Sequence, residues 1–144
     1  MKKYIPLALR IFVAIILIQT LRFKFTAHPD SVYIFQKVGL EPYGRIGIGI
    51  LELVAGILLL VPKTVWAGAT LTLGIIGGAI FMHITKIGIE VKNDGGILFF
   101  TACTIFILSL IILFIHKKTP IIGVLYKTFR GPLLPVIRQL VLYE

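Results

Sequence analysis

Apolar residues do not alternate along this chain but run on, in four stretches at residues 4–23, 44–62, 65–84 and 95–115. Each is close to the roughly 20 residues that a helix needs to cross a bilayer. Polar and charged residues collect in the intervals. This pattern predicts an all-α fold, a four-transmembrane-helix bundle occupying residues 1–118. Between the first two helices, His28-Pro29-Asp30 and Glu41-Pro42 form turns around the amphipathic stretch 32–40, VYIFQKVGL, which predicts a short interfacial segment. Beyond residue 118 the tail is apolar too, but three prolines, Lys127, Arg130 and Arg138 interrupt it. Residues 119–144 are therefore expected to form a cytoplasmic tail lying in the headgroup layer or docking on a partner there.

Composition agrees with a membrane protein. The chain is 58% hydrophobic with a mean hydropathy of +1.00, whereas soluble domains are about 45–50% apolar. The start resembles a signal peptide, yet Arg10 interrupts its apolar stretch and no small-residue cleavage site follows, so it reads as a retained first helix. The net charge of +9 sits at helix ends, where topology and lipid headgroups account for it, and does not point to nucleic acid. Eight basic residues fall on the side of the termini and six on the other, a bias that places both termini in the cytoplasm. The single cysteine, Cys103, rules out an internal disulfide or a CxxC redox pair.

Against this background one residue stands out. Glu52 lies roughly 12 Å down the second helix, where an acid costs about 2.5–3.5 kcal/mol to insert. Such a group is expected to face protein and to have a partner. Gly49, Glu52 and Gly56 share a face, so that face should meet a neighbouring helix. On the first helix Arg10, Ala14, Leu17, Leu21 and Lys24 form one stripe toward the bundle. Arg10 has two readings, a charge partner for Glu52 or a residue snorkelling to the membrane boundary. On the third helix Gly74-x-x-x-Gly78 marks a second packing face, while His83 lies near the helix end. His83 either joins Arg22, Lys24, Arg45 and Lys86 in a basic pocket or bonds carbonyls at its own helix terminus. His28 and Asp30 read as loop polarity more readily than as metal ligands, and Asp94 is placed to cap the fourth helix. Thr101, Cys103, Thr104 and Ser109 read as packing residues.

No phosphate-binding glycine loop, nucleophile elbow, HExxH or dinucleotide fingerprint occurs. The chain does resemble the DoxX family of small bacterial membrane proteins over roughly residues 5–116. The resemblance rests on Lys24 closing helix one, on Gly49, Leu51, Glu52 and Gly56 with the later Pro62, on Gly78, Ala79 and His83, and on Asp94-Gly95-Gly96. It implies a four-helix protein of the bacterial inner membrane, and family members are associated with a thiosulfate:quinone oxidoreductase or with a complex joining superoxide detoxification to thiol handling. The expected function is thus an accessory subunit of a membrane redox or oxidative-stress complex, with redox-enzyme partners, and with quinone as the candidate cofactor. In that role Glu52 and His83 would exchange protons in an apolar slot. A non-catalytic scaffold is the alternative, and a small proton-coupled transporter, which four helices could build only as a homo-oligomer, comes last. No self-sufficient active site and no metal centre are expected.

Overall fold

The computed structural model describes residues 4–116; the expected tail at 119–144 lies outside them. Every regular element among the described residues is helical. The first is α1 (Ile5–Phe25), with Pro6 in its opening turn, where the missing N–H costs nothing. A short helix, α2 (Pro29–Lys37), follows within the connection expected to hold an interfacial segment, its start capped by the His28 ring accepting from the Asp30 N–H. Then come α3 (Tyr43–Leu60), α4 (Val65–Met82) and α5 (Ile97–Ile115). Four of these helices are long and apolar enough to cross a membrane, and the four-helix bundle predicted from the hydropathy pattern is what forms. Short connections make neighbours antiparallel.

Packing runs α1 on α3, α3 on α4 and α4 on α5, with a thinner contact returning from α5 to α1. The core holds Val13, Ala14 and Leu17 of α1, Ala55 and Leu59 of α3, Ala69 of α4 and Ile112 of α5. Large apolar side chains such as Phe12, Ile50, Phe81 and Phe114 face outward. For a water-soluble protein that surface would be a liability; here it is the contact with the lipid bilayer.

Small residues decide where the helices come closest. A Cβ on Gly68 would lie 2.7 Å from the Leu59 nitrogen and 2.9 Å from the Leu58 carbonyl carbon, so α3 and α4 meet backbone to backbone there. Gly49 lies against Phe25 and Lys24, and Gly56 against Ile18. Gly74 and Gly78 differ from expectation. A Cβ at either would meet nothing within 4 Å, because α3 and α5 take two other sides of α4 and leave this one facing out.

The third span also runs further than its apolar stretch. After Met82 the helix widens into a π-turn, His83–Ile87, which carries the span to Ile87. Gly88 holds the turn: its N–H donates to the His83 carbonyl at 2.8 Å, and its own carbonyl accepts from His83 Nδ1 at 2.8 Å. Its φ of +95° suits glycine alone.

Candidate functional site

The polar groups of the spans sort toward the two ends of the bundle. At the end bearing α2, Lys24 from the last turn of α1 reaches Glu52 in the middle of α3, Nζ to Oε2 at 2.8 Å. Glu52 is 4% exposed. Its only other partner among the described residues is Thr20, one turn before Lys24 on α1, whose hydroxyl lies 2.9 Å from the same Oε2. Oε1 is left without a hydrogen bond among the described residues. The Thr20 hydroxyl is also 2.7 Å from the Leu17 carbonyl. One hydroxyl carries one proton, so it can donate to the carboxylate or to Leu17 at any moment, not both.

A second pair braces the first. Arg45, in the opening turn of α3, forms an ion pair with Glu41 at 2.8 Å, and its Nη1 donates to the Lys24 backbone carbonyl. The main chain of Lys24 is thereby tied to α3, while its side chain is tied to Glu52. Lys24 and Arg45 are each matched by a carboxylate, and Arg22 and Lys86 remain exposed, so the basic pocket, one of the two readings of His83, is not what these residues build.

Arg10 is not brought to Glu52. It lies near the other end of α1 and donates from Nε to the Leu59 carbonyl and from Nη2 to the Leu60 carbonyl, both at 2.7 Å. These are terminal carbonyls of α3, free of helical partners and at the negative end of its dipole. Nor is His83 joined to Glu52. Its ring is held by Gly88 and meets Phe99 edge-on at 5.8 Å, the helix-terminus arrangement of the two readings.

Around His83 the loop into α5 is organised by Asp94, which accepts from the backbone N–H groups of Val91 (2.8 Å), Gly96 (2.9 Å) and Leu98 (3.1 Å). Burial pushes this carboxyl up, but the three backbone donors and the charge of His83 outweigh it and hold the group below its ordinary value. Asp30 pairs with Lys92 at 3.3 Å, and the ring of Tyr33 is approached by the ammonium groups of both Lys37 and Lys92. Among the described residues no three of His, Cys, Asp or Glu gather as metal ligands.

An apolar groove of about 340 Å³ lies where α5 returns to α1, lined by Phe12 and Ile16 of α1 and by Ile97, Phe100, Thr101 and Thr104 of α5. Thr104 bonds the Phe100 carbonyl, whereas the Thr101 hydroxyl has no partner among the described residues. On α1 the stripe Phe12, Ile16, Thr20 advances one turn at a time, so the hydroxyl touching Glu52 stands one turn beyond the groove lining. Ser109 is fully buried, and its hydroxyl has no partner among the described residues. Reading the sequence alone missed Thr20 and Glu41. Thr20 was within reach, since it precedes Lys24 by one turn; Glu41 was hidden by its neighbouring proline, which made it look like a turn residue.

Comparison with known proteins adds one positive finding. The model of the DoxX-like family matches residues 8–112, which contain all four spanning helices but for a few terminal residues. No curated protein and no solved structure matches the chain.

Proposed function

We propose, for a chain that belongs to the DoxX-like family and has four membrane-spanning helices, the role of an accessory subunit in a membrane redox or oxidative-stress complex of the bacterial inner membrane. The observation that carries the reading is Glu52: one carboxylate in an otherwise apolar span, bonded through Oε2 alone to an ammonium and a hydroxyl, with Oε1 unengaged among the described residues. A hydrophobic carrier of the quinone type needs an apolar seat and a group that gives or takes protons. The groove between α1 and α5 offers the seat, and the Thr20 hydroxyl that touches Glu52 stands one turn along α1 from its lining.

The proton balance of such a step is simple. When Glu52 accepts a proton from the carrier on Oε1, the carboxyl gains an O–H donor, while Oε2 remains an acceptor and the Thr20 hydroxyl can donate to it or to the Leu17 carbonyl. Lys24 then loses its counter-charge. Its side chain is 14% exposed and sits in the last turn of α1, so it can extend toward the α2 end, and proton uptake is coupled to that movement. His83 takes no part, being held by Gly88.

The test is Glu52→Gln in membranes that contain the partner enzymes. Quinone-linked activity should fall and its pH profile should flatten; an unchanged rate and profile would sink the reading. The ion pair also favours a second role, because it joins α1 to α3, the most extensive helix contact in the bundle. A scaffold would respond to Glu52→Gln with lower expression or assembly and no change in the pH profile of whatever complex remained.

A further inference from the structure

Among the described residues the carboxylates all lie toward one end of the bundle. Toward α2, the six cations Arg22, Lys24, Lys37, Arg45, Lys86 and Lys92 accompany Asp30, Glu41, Glu52, Glu90 and Asp94, a balance of one positive charge. The opposite end, where α3 finishes and α4 begins, has Arg10 and Lys63 and no carboxylate among the described residues. Arg10 is unusual in being both buried, at 6% exposure, and without an acidic partner there. Two of its nitrogens are fixed by the Leu59 and Leu60 carbonyls, which orient the guanidinium. Its third, Nη1, has no bond among the described residues and is not sealed from its surroundings. A few residues on, the first turn of α4 presents its N–H groups with no side-chain cap and no acidic residue, and the exposed Lys63 immediately precedes it.

Arg10 holds the last carbonyls of α3 and the first turn of α4 abuts Leu59 through Gly68, so a pre-oriented guanidinium fork, the ammonium of the connecting Lys63 and an uncapped helix N-terminus all belong to one turn between two spans, and their common complement is a phosphate. We propose that Arg10, Lys63 and the first turn of α4 hold the phosphate of an anionic phospholipid from the leaflet at that end. Burial of Arg10 is what separates this from diffuse attraction to a charged surface. An exposed lysine loses most of its pull to salt, while a group taken out of water keeps it. Glu52 has no part in it, being held by Lys24 and Thr20, while Arg10 is bonded to the end of α3.

Trp66, the only tryptophan, lies in the same first turn of α4 and reports on lipid beside it. The experiment reconstitutes the full chain in phosphatidylcholine vesicles carrying equal fractions of brominated phosphatidylglycerol or brominated phosphatidylcholine, and measures quenching of Trp66. Brominated phosphatidylglycerol should quench severalfold more effectively, and the preference should survive 0.5 M salt. Arg10→Gln should abolish the preference and Lys63→Gln should roughly halve it. If Arg10→Gln does not fold, Arg10→Lys, which keeps the charge and loses the fork, should lower it clearly. Equal quenching by the two lipids, a preference that disappears in salt, or one that survives Arg10→Lys undiminished would overturn the proposal. Displacement of the preference by inorganic phosphate would assign the site to free phosphate and would overturn the lipid assignment.

Discussion

The two ends of the bundle are held together by different forces. At the α2 end charge does the holding: Lys24 joins α1 to Glu52 of α3, Arg45, paired locally with Glu41, reaches the Lys24 carbonyl, Lys92 ties its loop to Asp30 of α2, and Asp94 orders the loop into α5 through three backbone N–H groups. At the other end they are joined through close approach, with Gly68 letting α4 touch the backbone of α3 and Arg10 closing the end of α3 with two hydrogen bonds. Ion pairs can be opened by a proton, and backbone contact cannot. The end built from pairs is therefore the one where chemistry can be coupled to movement, and the end built from contact is a fixed platform.

Substitutions can break that contrast in graded steps. The largest effect is expected for Glu52→Leu, which leaves Lys24 without its counter-charge and should lower stability in detergent by about 3 kcal/mol. Adding Lys24→Met should return much of the loss, since a matched apolar pair replaces a stranded cation; a double variant no better than the single would show that the pair is not the source. At the platform end Gly68→Ala should cost about 1–3 kcal/mol, because its Cβ would sit 2.7 Å from backbone. Gly74→Ala on the same helix should fall within about 0.5 kcal/mol of wild type. Equal effects at the two glycines would remove the distinction between the inward and outward sides of α4.

Smaller steps sharpen it. Asp94→Ala should cost about 1 kcal/mol, the usual worth of a carboxylate at a helix start. Because the folded state holds this carboxyl below its ordinary value, its contribution is complete above the unfolded value of about 3.9 and is lost as pH falls through the lower folded one. The deficit of the variant relative to wild type should therefore shrink in acid, as followed by thermal unfolding across pH 2–6. Ser109→Ala, which removes a buried hydroxyl with no partner among the described residues, should be neutral or stabilise by up to about 1 kcal/mol.

The helices and their order were legible in the sequence, because a spanning helix satisfies its own backbone and needs only length and apolarity, both of which are local. The inward stripe of α1 was legible for the same kind of reason, as helical periodicity puts Arg10, Ala14, Leu17 and Leu21 on one side, and all four are buried. The cost of Glu52 in an apolar run could be read without a structure, and so could the need for a partner. Which partner answered it could not. Lys24 and Arg10 lie on the same stripe at opposite ends of α1, and only the antiparallel register of α1 against α3 brings Nζ of Lys24 to 2.8 Å from the carboxylate while handing Arg10 to the end of α3. The glycines teach the same lesson. Gly68, Gly74 and Gly78 all occur on one helix, and the sequence gives each the same licence for close approach; the neighbours that use it arrive from elsewhere in the chain, so the packing of α3 and α5 decided that Gly68 is a contact and Gly74 and Gly78 are surface.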